Sequence, residues 1–248
     1  SDTVGTMCGR YALSKLPAEL IEEFEIHTGA TIGRVLPADW NIAPTKPIYI
    51  IRNNSENQRE LAVTSWGMIA PWSKDDVEAL KSQSIAINAR TETVDEKPTF
   101  RSAFRTTRCL IPATGYYEWA TSLGKYSPKQ PFYISRRDNK PLSIAGIWST
   151  WQSEKGEQIQ SASIITREAV NDLATIHSRM PVFMPEDRWN EWLDPKTRDV
   201  HELRALMENP EPDAGTFAVP VSARVNAVAN NGPELIIPIE LGAPETLF

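Results

Sequence analysis

Cys109-Leu110-Ile111-Pro112-Ala113, followed closely by Tyr116-Tyr117-Glu118-Trp119-Ala120, is the stretch from which the architecture is read. Both runs are short and rich in β-branched and aromatic side chains, which suits strands. Similar runs follow over residues 131–137, 142–152 and 158–166. Others precede them at residues 47–52, 60–66 and 85–90, the first two joined by a polar turn over 53–59. Late short strands are expected at 219–222 and 235–239. Helices are fewer. The first is expected over residues 16–29, with Pro17 in its first turn, early glutamates on its N-terminal dipole and Gly29 at its end. Leu20, Ile21 and Phe24 make its apolar face. Others are expected at 99–107, 168–174, 185–193 and 199–207, with one or two helical turns in the charged excursion 73–82. Residues 34–47, with three prolines, read as loop.

Many strands mixed with a few short helices, without regular βαβα alternation, define an α+β protein. The expectation is a single domain over residues 7–248, built on a curved, barrel-like, mainly antiparallel sheet. No low-complexity linker or internal repeat divides it. Residues 1–6 are polar, small and without periodicity, and read as a tag or extension ahead of Met7.

The 248 residues, 41% hydrophobic, suffice for one large core or two modest ones. No apolar run approaches the ~18–20 residues of a membrane span, and no secretion signal is visible. The two cysteines, Cys8 and Cys109, lie too far apart in sequence to suggest a disulfide framework. With His27, His177 and His201 they show no zinc-like spacing, so no metal and no cofactor is expected. A cytoplasmic setting and a monomer are expected. The net charge of −6 is uneven: nine acids fall between Glu186 and Asp213, whereas Lys97, Arg101, Arg105 and Arg108 share a segment without any. Arg101, Arg105 and Arg108, at i, i+4 and i+7, are expected along one helical stripe. An acidic protein can still bind DNA through one basic face.

Met7-Cys8-Gly9-Arg10-Tyr11 carries the distinctive chemistry. If the mature chain begins at Cys8, that residue presents an amine and a thiol on adjacent carbons. Both titrate near neutrality, at about 7.7–8.0 and about 8.5. With an aldehyde the amine forms an imine, and the thiolate then closes a five-membered thiazolidine. The same Cys8 also reads as a small buried hydrophobe. Three polar clusters bear on the choice. Glu118 is flanked by aromatics, and a desolvated carboxylate has a raised pKa suited to proton transfer; strand alternation can equally point it at solvent. His177 lies in the loop-like Ile176-His177-Ser178-Arg179-Met180-Pro181, where an imidazole can move protons or simply hold structure. Asn88 and Arg90 end a β-prone run, fit to orient an amine and grip a phosphate, or to make a turn.

Taken together, these clusters resemble one family, the abasic-site processing or SOS-response-associated peptidase (SRAP) proteins. To the motifs quoted are added Asn41-Ile42-Ala43-Pro44, Ala70-Pro71-Trp72, Asn88-Ala89-Arg90-Thr91-Glu92-Thr93, Phe100-Arg101-Ser102-Ala103-Phe104 and Val221-Ser222-Ala223-Arg224-Val225-Asn226. They occur in family order along nearly the whole chain. The resemblance implies the SRAP fold and a protein that captures abasic sites in single-stranded DNA as a covalent thiazolidine crosslink during the DNA damage response. It implies Cys8 as nucleophile and Asn88 as holder of the sugar or amine. Glu118 becomes the proton shuttle, and His177 assists sugar ring opening. Arg10, Arg90 and Arg179 become phosphate contacts, Asn41 and Pro44 DNA contacts, and Trp72 a wedge against bases. Some relatives carry paired aromatics near position 72, where this chain has Trp72-Ser73, and others a basic residue where it has Met180. The rival reading is a Cys8 peptidase or amidase that removes its own leading residues.

Overall fold

The computed structural model describes residues 8–27, 31–121 and 126–241. Residues 1–6, Met7 and the expected helix end at Gly29 lie outside the described residues. The first strands are β1 (Tyr11–Leu13), β2 (Thr31–Ile32), β3 (Asp39–Ile42), β4 (Pro47–Asn53), β5 (Arg59–Trp66) and β6 (Asn88–Arg90). Then come β7 (Arg108–Ala113), β8 (Gly115–Trp119), β9 (Pro131–Arg136), β10 (Leu142–Gln152), β11 (Gln158–Glu168), β12 (Arg179–Pro181) and β13 (Thr216–Pro220). The α-helices are α1 (Pro17–Glu23), α2 (Asp76–Ile85), α3 (Arg101–Thr106), α4 (Trp189–Leu193) and α5 (Val200–Met207).

Strand β11 closes a barrel. It pairs antiparallel with β10 and parallel with β5, and the ring continues from β10 through β7 and β4 back to β5. Its far end takes β6 in parallel and β12 antiparallel. A second sheet has the order β13-β9-β8-β1-β3. The expectation of a barrel-like, mainly antiparallel α+β fold is borne out. Only Thr114 separates β7 from β8, so the chain passes directly from barrel to second sheet. Gly115 permits that corner: a Cβ there would lie 2.3 Å from the Tyr133 ring, so no other residue fits without displacing it.

The core fills the barrel and the gap between the two sheets. Ile50, Ile51, Leu61, Leu110, Ile111 and Ile147 are fully buried, each contributing about 1.5–3 kcal/mol relative to exposure. Tyr11 and Trp66 meet edge to face at 5.2 Å, joining the second sheet to the barrel. The indoles find partners, as buried polar groups must: Trp66 Nε1 donates to the Ile87 carbonyl at 3.1 Å and Trp192 Nε1 to that of Cys109 at 2.9 Å.

Several local expectations need correction. The first helix stops at Glu23, because Glu25 adopts a left-handed backbone (φ 51°) that ends it before Gly29. The proline-containing segment expected as loop holds β3, the edge strand beside β1. Residues 235–239 form no strand; Pro233–Ile236 is a 3-10 helix, followed by one bridge between Val221 and Pro238. Residues expected to begin a helix at 168 instead complete β11, and a 3-10 helix starts at Asn171. Arg108 does not continue a cationic stripe with Arg101 and Arg105. Helix α3 ends at Thr106, and β7 carries Arg108 inward, to 3% exposure. There its guanidinium donates to the carbonyls of Trp192 (2.6 Å), Phe104 (3.0 Å) and Asp194 (2.6 Å), satisfying the end of α4.

Candidate active site

The antiparallel pairing of β1 with β8 sets Tyr11 opposite Tyr116, and the Tyr117 amide donates to the Arg10 carbonyl at 3.0 Å. That register carries the residues just before β1 alongside Glu118. Glu118 Oε2 accepts hydrogen bonds from the Cys8 backbone nitrogen at 3.2 Å and the Cys8 thiol at 3.4 Å. Cys8 sits at φ 43°, a left-handed conformation that non-glycine residues rarely adopt outside constrained sites. Cys8 and Glu118 are 2% and 4% exposed, so Glu118 points inward rather than at solvent.

Burial decides the protonation of both. It raises the Glu118 carboxyl to about 8, against the opposing pull of the hydrogen bonds from Cys8, so the group holds its proton at neutral pH. Burial, then the adjacent Glu118, pushes the Cys8 thiol well up. His177 lies in the loop between the 3-10 helix Asn171–Thr175 and β12, as expected. The Thr121 amide ties that loop to the end of β8 by donating to the Ile176 carbonyl at 3.0 Å. His177 Nδ1 accepts the Arg179 backbone N–H at 3.1 Å, which places the imidazole proton on Nε2. Nε2 faces Glu118 Oε1 at 3.9 Å, and burial lowers the His177 pKa, favouring the neutral ring.

Cys8, Glu118 and His177 thus meet although 110 residues separate the first two. A cleft of about 490 Å³ opens beside them, lined by Gly9, Arg10, Pro44, Glu118, Trp119 and His177 among others. A larger cleft of about 700 Å³, around Asn53, Gln58 and Asn190, contains none of the expected site residues.

The remaining expected residues are placed differently from one another. Arg10 borders the cleft and donates through Nη1 to Asn41 Oδ1 and the Val225 carbonyl, both at 2.8 Å. Asn41 is fully buried, and its Nδ2 also reaches the carbonyls of Val225, Ala227 and Asn230. It fastens Arg10 and the late segment rather than facing the cleft. Asn88 is half-buried and Arg90 exposed on β6, opposite Ile164 and Thr166 of β11. Trp72 stands on an exposed turn, 57% exposed, outside the cleft lining. The Arg179 guanidinium binds the Glu92 carboxylate at 2.5 and 2.9 Å and the Thr166 carbonyl at 2.9 Å. Asn226, which accepts Trp119 Nε1–H at 2.8 Å, and Lys129 also border the cleft. Sequence reading assigned neither a role. Asn226 lay within the quoted motif Val221-Ser222-Ala223-Arg224-Val225-Asn226, while Lys129 carried no motif signal.

Among the described residues, no group of three His, Cys, Asp or Glu side chains is arranged to hold a metal, and no helix is long and apolar enough to cross a membrane. What the site offers is a thiol and an adjacent nitrogen on one protonated carboxyl, with a neutral imidazole donor beside them.

A barrel joined at Gly115 to a second sheet, with this Cys–Glu–His cluster at the seam, defines a class on which the comparisons agree. The sequence profile of the SOS response associated peptidase (SRAP) family matches residues 7–228, and the chain belongs to that family. It is 36% identical over 232 residues to the abasic site processing protein YoqW of Bacillus subtilis, covering 93% of this chain and 99% of the relative. It is 30% identical over 244 residues to the abasic site processing protein HMCES of Gallus gallus, covering 86% of this chain and 69% of that protein. A crystal structure of a Bacteroides thetaiotaomicron protein shares the fold, with a TM-score of 0.79 at 23% identity, covering 94% of this chain and all of that one.

Proposed function

We propose that this protein recognises abasic sites in single-stranded DNA and captures them as a thiazolidine crosslink through Cys8, protecting the site during replication. The observation that carries the reading is the shared acceptor: Glu118 Oε2 reaches both the nitrogen and the sulfur that a thiazolidine must join to one carbon. The names of the relatives support the substrate class.

The chemistry balances within the cluster. In a form beginning at Cys8, the free amine attacks C1′ of the open-chain sugar, and a proton passes from the nitrogen to the former carbonyl oxygen to give a carbinolamine. Glu118 gives its proton to the departing hydroxyl, which leaves as water, and an iminium remains. The Glu118 carboxylate then takes the thiol proton, and the thiolate closes on C1′. Carbon–nitrogen and carbon–sulfur bonds form, one water is lost and Glu118 is protonated again. His177 Nε2–H donates to the sugar oxygen during ring opening. Asn88 orients the sugar or the amine. Arg10, Arg90 and Arg179 meet phosphates, Asn41 holds Arg10 in place from behind, Pro44 borders the strand, and Trp72 stacks on a base, worth about 1–3 kcal/mol by analogy with other single-strand binders. An abasic nucleotide lacks a base to read, so binding is insensitive to sequence. The protein acts as a cytoplasmic, nucleoid-associated monomer.

The same contact favours a second activity, hydrolysis of the Met7–Cys8 bond. The leaving nitrogen of that reaction is the one facing the Glu118 carboxyl. Water is consumed, giving a Met7 carboxylate and the Cys8 amine.

The test compares the 248-residue chain with a form beginning at Cys8, each incubated with an oligonucleotide carrying one abasic site. An amide nitrogen, delocalised into its carbonyl, forms no imine. The shorter form is therefore expected to give an adduct that survives denaturation, with a mass lower by one water than the sum. An equally stable adduct on the uncleaved chain, with the leading residues intact by mass, would overturn the mechanism.

A further inference from the structure

Arg179 is usually the kind of residue assigned to a phosphate, yet its hydrogen bonds in this structure are directed inward. The Glu92 carboxylate takes Nη1 and Nη2 end-on, and Nη2 also reaches the Thr166 carbonyl at 2.9 Å and hydroxyl at 3.3 Å. The side chain is largely buried, whereas that of Glu92 is half exposed. Glu92 is held in turn from behind. Its segment follows β6, and Arg204 of α5 donates to the carbonyls of Thr91 (3.1 Å) and Glu92 (3.4 Å) and pairs with Asp95. Thr166 is the meeting point: it lies opposite Arg90 of β6 on one side and Pro181 of β12 on the other. The backbone of the same Arg179 donates to His177 Nδ1.

We propose that Glu92 is a positioning residue of the site: it locks Arg179 against Thr166, fixing the loop that carries His177, and it masks most of the Arg179 charge from Cys8 and His177. The proposal rests on the reading of Cys8, Glu118 and His177 as the reacting groups. The charged and titratable groups facing Cys8 are Glu118 and Tyr116 from β8 and Arg179 from β12; those facing His177 are Glu118 and Arg179, with Arg10 and Lys129 on the cleft they share. Arg179 is the cation in both sets and acts to lower both pKa values. The carboxylate bound to it therefore works in the opposite direction on each. Glu92 itself is held ionised, at about 2, chiefly by its hydrogen bonds from Arg179.

The experiment replaces Glu92 by Gln, which keeps the shape and removes the charge, and by Asp, which keeps the charge. In a His27→Gln/His201→Gln background His177 is the single imidazole, and NMR follows its titration without any DNA. Glu92→Gln is expected to lower the His177 midpoint by about 0.5–1 unit and to move the pH profile of Cys8 alkylation in the same direction. Glu92→Asp is expected to leave both near the parent values. A Gln variant with parental midpoints, or an Asp variant that moves as far as Gln, would overturn the charge-masking role.

A second arm incubates the parent and Glu92→Gln, each in a form beginning at Cys8, with an oligonucleotide carrying one abasic site. If no form crosslinks abasic DNA while the His177 shift appears as expected, the abasic-site reading fails and the placement of Glu92 stands.

Discussion

Glu118 Oε2 lies within hydrogen-bond reach of both the backbone nitrogen and the sulfur of Cys8, at 3.2 and 3.4 Å. One carboxyl can therefore serve both bond-forming steps of a thiazolidine without moving. A group doing so must pass between its acid and base forms near neutrality, and burial brings Glu118 to about 8. His177 Nε2, at 3.9 Å from the other oxygen, stands close enough to assist without taking over that role.

Glu118→Gln is nearly isosteric and removes the transferable proton. Crosslinking by the form beginning at Cys8 is expected to slow by about a hundredfold or more, the usual scale of lost general acid–base catalysis. Single-turnover gels over pH 5–8 measure it. Rates equal to the parent across that range would make Glu118 a structural residue.

The same substitution has a stability signature. In the unfolded chain Glu118 titrates near ~4.3, whereas in the fold it titrates at about 8. Between those values the folded state binds the extra proton, so stability falls as pH rises through the window and levels off above it. Gln does not titrate. The melting temperature of Glu118→Gln relative to the parent is therefore expected to climb from pH 5 to pH 8. A difference that stays flat would mean the carboxyl is not raised.

Asn41→Ala removes an amide that donates to three carbonyls and accepts from Arg10. A loss of about 2–4 kcal/mol is expected, because buried acceptors are left unsatisfied. Urea denaturation gives the number. Freed from Asn41, Arg10 should also hold DNA less firmly, seen as weaker binding of intact strands. A change in stability below about 0.5 kcal/mol would mean that this buried network contributes little to the fold.

Arginines divide by burial. Arg108→Met strands three buried carbonyls and is expected to cost about 3 kcal/mol or more, with single-strand affinity unaffected in the folded fraction. Arg90→Ala, at an exposed position, is expected to leave stability unchanged, weaken single-strand binding and reduce the salt slope by about 0.7. Fluorescence anisotropy at several salt concentrations separates the two. Weaker binding from Arg108→Met with unchanged stability would reverse the assignment.

Local pattern alone determined the strands from Arg108 to Glu168, because β-branched and aromatic alternation is written within each run. Residue chemistry marked Cys8, Glu118 and His177 as candidates, each with a structural alternative, and the motifs around them assigned the roles. Tertiary structure decided everything that depends on partners distant in sequence. The parallel pairings of β5 and β6 with β11 leave no mark on any local period, so which strands close the barrel was not legible. Arg108 matched a helical spacing, yet a helix ending two residues earlier turned it inward, and two of its three partners lie 84 and 86 residues away. Nothing local to Arg179 announced that Glu92, 87 residues earlier, binds its guanidinium. Composition and spacing carry the intrinsic chemistry of a side chain; its charge state, its burial and what it can still bind are set by neighbours that only the folded chain supplies.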